Sequence, residues 1–105
     1  MRPNNTKEFA PQEGEAKANR LVQIRNKFTG NSIADQAKRL REALQEFSVS
    51  TLEARRYLDI MHPAGRVHEL RENGDEIDTL RLSQYAETGK PHCIAVYVLR
   101  EEGQT

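Results

Sequence analysis

The sequence predicts a small α/β domain that is mainly helical, with three helices followed by a two-stranded β-hairpin. Apolar residues recur every three or four positions between Ile33 and Leu70, which is the helical period. After Gly74 the period changes to two, which is the period of a strand. A length of 105 residues with 36% hydrophobic residues allows one domain with a modest core.

The first helix is expected from Ile33 to Phe47. Ser32 followed by Asp35 resembles a capping box with aspartate in place of glutamate, and no glycine or proline interrupts the segment. The apolar stripe of this helix consists of Ile33, Ala37, Leu40, Ala43 or Leu44, and Phe47.

A short second helix is expected directly after a full capping box, in which Ser50 is paired with Glu53. It has room for about two turns before the segment 59–62. About four residues then separate it from the next helix, which is the spacing of a helix-turn-helix.

The third helix is expected to begin at Pro63, because the first helical position tolerates the missing amide hydrogen. Val67 and Leu70 form its inner face, and Asn73 with Gly74 ends it.

The hairpin is predicted from two apolar segments on either side of a turn-forming cluster at residues 87–91. The first strand contains Ile77, Leu80 and Leu82, and the second contains the apolar run 94–99. Because a lone hairpin is marginally stable in water, this one is expected to pack on the helices.

The chain is expected to divide into a flexible N-terminal tail at residues 1–31, a domain at 32–100 and a disordered end at 101–105. Within the tail, Leu21, Ile24 and Phe28 have helical spacing, so a short helix near residues 15–28 is the alternative.

Composition narrows the class of protein and its environment. The longest apolar run has six residues, too few to cross a bilayer, and no signal peptide is visible, so no membrane association is expected. The single cysteine, Cys93, cannot form an internal disulfide, which favours the reducing cytoplasm.

Charge is unevenly distributed although the formal net charge is zero. Residues 1–31 have six basic and three acidic side chains, and residues 32–105 have 10 basic and 13 acidic side chains, so the two parts carry +3 and −3. A DNA-binding domain usually has a basic surplus, and an acidic domain of this kind also fits a protein-docking module.

The segment from Met61 to Gly74 resembles the small winged helix-turn-helix proteins of bacterial prophages and mobile elements. The similarity lies in the third-helix pattern formed by Arg66, Val67, Leu70, Arg71 and Gly74. It continues upstream through residues 50–54 and downstream through residues 89–92 and 95–99. The resemblance implies a winged helix-turn-helix fold over about residues 32–100, and it implies DNA binding less specifically, because winged helices also dock proteins.

In that fold the third helix would lie in the major groove of DNA. On a helical wheel Gly65, Glu69 and Glu72 point outward, and the flanks of that face carry His62, Arg66, His68 and Asn73. Arg66 and His68 are candidate donors to guanine or phosphate, Glu69 is a candidate acceptor from cytosine, and Gly65 would let the DNA approach closely. The alternative is a solvated face in which Arg66 pairs with Glu69, and Arg71 is expected to have a structural role.

Phosphate contacts are predicted on both sides of this helix. Arg55 and Arg56 lie on the second helix, and Lys90 lies at the tip of the wing, with Thr88 and His92 as further donors. The alternative is that these residues are ordinary surface charge.

No metal site, cofactor or catalytic activity is expected. His62, His68, His92 and Cys93 have no metal-ligand spacing, and no nucleophile or phosphate-loop motif occurs, so a small-molecule substrate is not expected either. The sequence therefore predicts a phage-type transcriptional regulator or replication accessory protein that binds double-stranded DNA, with a homodimer or a protein partner as a second contact. The alternative is a winged-helix protein-interaction module that does not bind DNA.

Overall fold

The computed structural model describes residues 10–85 and 89–100, with side chains for residues 15–83, 89–90 and 93–100. The elements in chain order are α1 (Ala10–Lys27), α2 (Ile33–Glu46), β1 (Val49–Ser50), α3 (Thr51–Tyr57), α4 (Pro63–Glu72), β2 (Ile77–Tyr85) and β3 (Pro91–Leu99). The strands form one antiparallel sheet in the order β1-β3-β2. The helices α2, α3 and α4 are the three that the sequence predicts, and β2 with β3 form the predicted wing.

The start of α2 is fixed by the predicted cap, in which the Ser32 hydroxyl accepts a hydrogen bond from the Asp35 amide at 3.1 Å. The middle of the predicted stripe is buried in the core, where Leu40, Ala43 and Leu44 lie. The prediction for Ile33 is wrong, because this side chain in the first turn of α2 is 54% exposed.

The short α3 has a complete capping box at its start. The Ser50 hydroxyl accepts from the Glu53 amide, and the Glu53 carboxylate accepts from the Ser50 amide, both at 3.0 Å. Such a cap satisfies two amides that have no partner within the helix, which matters in a helix of seven residues.

A tight turn joins α3 to α4 and completes the helix-turn-helix. Asp59 has a φ of 56°, a left-handed conformation that aspartate tolerates better than most residues, and the Ile60 amide returns to the Ala54 carbonyl at 3.1 Å. Pro63 is the first residue of α4, as predicted, and Val67 and Leu70 are buried beneath it.

The wing packs on the helices through one face. Ile77, Ala95 and Tyr97 are buried on this face, and β1 adds Val49 opposite Tyr97. The strand β1 makes the sheet three-stranded, where the sequence predicts two strands. Two residues are too short a segment to show a period, so sequence patterning does not reveal β1.

The helix α1 is part of the same core. Leu21 and Ile24 are fully buried together with residues of α2 and α3, and Phe28 packs against their edge. Of the two alternatives for residues 15–28, the structure contains the helix, and it packs on the core of the helix-turn-helix. Residues 1–9 and 101–105 of the predicted tails lie outside the described residues.

A buried arginine joins α1 to the helix-turn-helix. Arg39 on α2 is only 1% exposed, and its guanidinium donates to four backbone carbonyls. Two of these follow the end of α1, at Phe28 and Gly30, and two follow the end of α3, at Leu58 and Asp59. The positive group thus satisfies carbonyls that have no partner within their own helices.

Candidate nucleic-acid interface

The helix α4 buries one face and leaves the opposite face uncovered by the wing. It packs mainly against α2 and less against α3, and Arg71 links it to the wing. The Arg71 guanidinium donates to the Ile77 carbonyl and to the Thr79 hydroxyl at 3.0 Å. This is the structural role predicted for Arg71, and it fixes the angle between α4 and the wing.

Arg66 and Glu69 form an ion pair on α4. Their side chains are 13% and 31% exposed, with Arg66 Nε 2.9 Å from Glu69 Oε1. That short contact is not aligned for a hydrogen bond, and the aligned bond, from Nη2 to Oε2, is long at 3.3 Å. The structure therefore contains the predicted alternative in the form of a loosely bonded pair.

The remaining candidates on α4 lie near the start and the outer side of the helix. His62 precedes the first turn and is exposed, with no capping hydrogen bond from its side chain. His68 is exposed, and its Nε2 lies 3.3 Å from a carboxylate oxygen of Glu72. A Cβ placed on Gly65 would meet nothing within 4 Å, so the space above this residue is open.

The two arginines of α3 are exposed beside the turn that leads into α4. Arg55 Nε donates to the Met61 carbonyl at 3.2 Å, which anchors this side chain two residues before the start of α4. The Arg56 guanidinium lies 5.6 Å from the centre of the Tyr57 ring. Both arginines retain donors that can bind an anion.

The wing presents two basic side chains that the structure describes, Lys90 beside the turn and Arg81 on β2. Lys90 is exposed next to Gly89, whose φ of 87° allows the turn into β3. Thr88 lies outside the described residues, and the side chain of His92 is also outside them, although its backbone pairs with Gln84.

Arg81 on β2 is exposed, and it is not among the site residues expected from the sequence. It pairs with Ala95, which is buried, so Arg81 lies on the face of the sheet that packs on the helices. The signal was present in the sequence, because alternation from Ile77 places residues 79 and 81 on the same face.

The charge balance changes when α1 is counted with the domain. Residues 15–105 contain 14 basic and 14 acidic side chains, so adding α1 and the turn after it brings the −3 of residues 32–105 to zero. Several acidic side chains are also neutralised locally by ion pairs: Glu42 by Lys27, Glu46 by Arg20, Glu53 by Lys17, Asp75 by Arg41, and Asp78 by Arg100. The negative charge of residues 32–105 is therefore balanced by the basic side chains of α1, which packs on the same core.

The described residues contain neither a cluster of metal-ligating side chains nor a helix that could span a membrane. Among them, no three or more histidine, cysteine, aspartate or glutamate side chains are grouped so that they could hold a metal ion. No helix within residues 10–85 and 89–100 is long and apolar enough to cross a membrane.

Comparison with protein families gives one match, to the winged helix-turn-helix domain, over residues 35–102. The match begins at Asp35, in the first turn of α2, and it covers the rest of α2, α3, α4 and both long strands. Comparison with curated proteins and with solved structures gives no significant match. Domains of this kind are generally non-catalytic modules that bind DNA. Because the match spans more than half of the sequence and agrees with the architecture, the chain belongs to the winged helix-turn-helix domain family.

Proposed function

We propose that this protein binds double-stranded DNA in the cytoplasm as a phage-type transcriptional regulator or replication accessory protein, without catalytic activity. The observation that carries the proposal is the uncovered face of α4. Exposed cationic side chains accompany it on two other elements, α3 and the wing. The phage-type role rests on the resemblance of residues 61–74 to prophage and mobile-element proteins.

In this proposal α4 enters the major groove with its first turns toward the base edges. Arg66 reaches guanine by leaving Glu69, so binding breaks the 2.9 Å contact between Arg66 Nε and Glu69 Oε1, both of which are buried in the free protein. Glu69 then accepts from the amino group of cytosine, and His62 and His68 donate to bases or phosphates. The open space above Gly65 admits the edge of the groove.

Phosphates are held on both sides of the groove. Arg55 and Arg56 bind one strand, and Lys90, assisted by Thr88 and His92, binds the other. With about three phosphates neutralised by the charged groups, the logarithm of the binding constant should fall with the logarithm of salt concentration with a slope of about −2.7. This slope is shallow, so the module alone binds weakly.

The test is binding of the full chain to random-sequence duplex DNA, measured by fluorescence anisotropy from about 25 to 200 mM salt. Lys90→Ala and Arg55→Ala should each weaken binding and reduce the steepness of the salt dependence by about one unit. Lys38→Ala is the matched control, because Lys38 is an exposed lysine on α2, and it should bind like the wild type.

No binding of the wild type at about 50 mM salt would refute the proposal and favour the protein-interaction module. Equal effects of Lys90→Ala and Lys38→Ala would refute the phosphate contact at the wing while leaving α4 as the reading helix. Circular dichroism of each variant shows whether the fold is intact.

A further inference from the structure

The turn between α3 and α4 adopts a conformation that needs support from the rest of the chain. Asp59 in this turn has a φ of 56°, which costs free energy for a residue with a Cβ. The carbonyls of Leu58 and Asp59 both accept hydrogen bonds from the guanidinium of Arg39, at 2.8 and 3.2 Å. Because Arg39 lies on α2 and is only 1% exposed, it supports the turn from the protein interior.

The same turn positions two parts of the proposed DNA interface. Arg55, a proposed phosphate contact, donates from Nε to the Met61 carbonyl at 3.2 Å. Met61 lies two residues before Pro63, where α4 begins. A shift of the turn would therefore move both the Arg55 guanidinium and the first turn of α4, which faces the base edges in the proposed complex.

The other side of the Arg39 guanidinium is bound just beyond the end of α1. Its Nη1 donates to the carbonyl of Phe28 and to that of Gly30, the latter at 2.7 Å. The helix α1 precedes the segment that matches the winged helix-turn-helix domain, and it packs on α2 and α3. Because a guanidinium is planar and rigid, it fixes the two pairs of carbonyls relative to each other.

We propose that Arg39 is a positioning residue for DNA binding, through which the docked α1 sets the placement of Arg55 and of the first turn of α4. With α1 docked, the guanidinium is held by carbonyls on two sides. When the end of α1 detaches, water replaces two of these acceptors, and the hydrated guanidinium can turn outward, away from the α3–α4 turn. The docked state therefore binds DNA more tightly than the detached state. This inference rests on the proposed function, since it concerns the same interface.

The coupling between α1 and DNA is reciprocal. If docking of α1 raises the affinity for DNA by a given factor, DNA binding stabilises the docking of α1 by the same factor. Couplings between two sites of one protein are typically about 5- to 150-fold. Because a single side chain carries this one, we expect a value near the lower end, about tenfold.

The first test is the affinity of the full chain for random-sequence duplex DNA at about 50 mM salt, where circular dichroism shows each variant to be folded. Arg39→Met should weaken binding about tenfold. Arg39→Lys keeps the charge but lacks the fork that reaches both pairs of carbonyls, so its affinity should also fall, and it carries the test if the methionine variant does not fold. Lys38→Met, at the exposed neighbouring position, is the matched control and should bind like the wild type.

A double-mutant cycle separates positioning from a purely structural role. Arg55→Ala should weaken binding at least about threefold less in the Arg39→Met background than in the wild type, because the Arg55 side chain is no longer held in place there. Lys90→Ala on the wing is the matched control. None of the four hydrogen bonds of Arg39 reaches the wing, so the effect of Lys90→Ala should be the same in both backgrounds.

Hydrogen exchange measures the reverse effect. Saturating DNA should slow exchange at residues 24–28, at the end of α1, about tenfold in the wild type but not in Arg39→Met. Folded Arg39 variants that bind DNA like the wild type would overturn the inference, as would additive effects of Arg39→Met and Arg55→Ala or unchanged exchange in α1. A wild type that binds no DNA would instead reject the proposed function and this inference together, so the two failures are distinguishable.

Discussion

Replacing Arg39 with methionine would remove a buried guanidinium and leave a side chain of similar length. Four carbonyls would lose their donor, two after α1 and two after α3. Within the described residues no carboxylate forms an ion pair with Arg39, so the substitution leaves no buried acid behind. The variant therefore isolates the effect of the carbonyl contacts.

The magnitude follows from the burial of each contact. The bond to Leu58 is fully buried, and losing a charge-assisted bond of this kind costs about 1.5–3 kcal/mol. The other three bonds are partly buried, and their carbonyls recover water at a cost of about 0.5–1 kcal/mol each. Because burying a guanidinium is itself unfavourable, part of this loss is regained, and we expect a net destabilisation of about 3 kcal/mol.

Urea denaturation followed by circular dichroism measures this change, and the midpoint should fall by about 1–3 M. Lys38→Met is the matched control, since Lys38 is the exposed neighbour on α2, and its effect should stay within about 0.5 kcal/mol. Hydrogen exchange should show the end of α1 and the turn at residues 58–62 losing protection together. An Arg39→Met variant as stable as the control would refute the assignment of Arg39 as the link between these segments.

Substitutions at three other positions test single features of the fold. Ser50→Ala removes the cap of α3 and should lower the free energy of unfolding by about 1 kcal/mol in urea titrations; an unchanged midpoint would show that tertiary packing alone holds this helix. The Arg20 guanidinium lowers the pKa of Glu46 by hydrogen bonding, so the pair stabilises the folded chain above the usual glutamate pKa of about 4.3 and stops doing so as the pH falls through the lowered pKa. The stability difference between wild type and Glu46→Gln in thermal melts should therefore shrink between pH 7 and pH 3, and a constant difference would contradict the pairing. Asp59→Gly should be neutral or stabilising because φ is 56°, whereas Asp59→Val should cost about 1–2 kcal/mol in the same urea assay; equal losses would mean that the left-handed turn is not maintained in solution.

Short sequence motifs were sufficient to predict those helices and strands whose first or last residues the motifs mark. The capping residues Ser32 and Ser50 and the proline at position 63 placed three helices within a residue or two of their observed starts. The change of period after Gly74 likewise located the wing. Each of these signals acts through contacts between residues close in the chain, so a single sequence displays them.

The features that sequence reasoning missed depend on contacts between distant segments. Arg39 sits on a helix in a polar run and looks like a surface residue, and it is buried only because α1 and the end of α3 meet on top of it. The strand β1 exists because Tyr97, far along the chain, lies beside Val49. The pairing of Arg66 with Glu69 was predictable as an alternative from their spacing, but choosing between solvent, DNA and pairing required coordinates.

The two ends of α1 are held by different kinds of contact, and salt affects them differently. Its residues 15–20 are held at the surface by Lys17 to Glu53 and Arg20 to Glu46, contacts that salt and acid weaken. Its last turns are held by buried leucine and isoleucine and, just beyond them, by a guanidinium shielded from ions. Under high ionic strength the beginning of the helix should therefore detach before its last turns, which stay packed on α2 and α3.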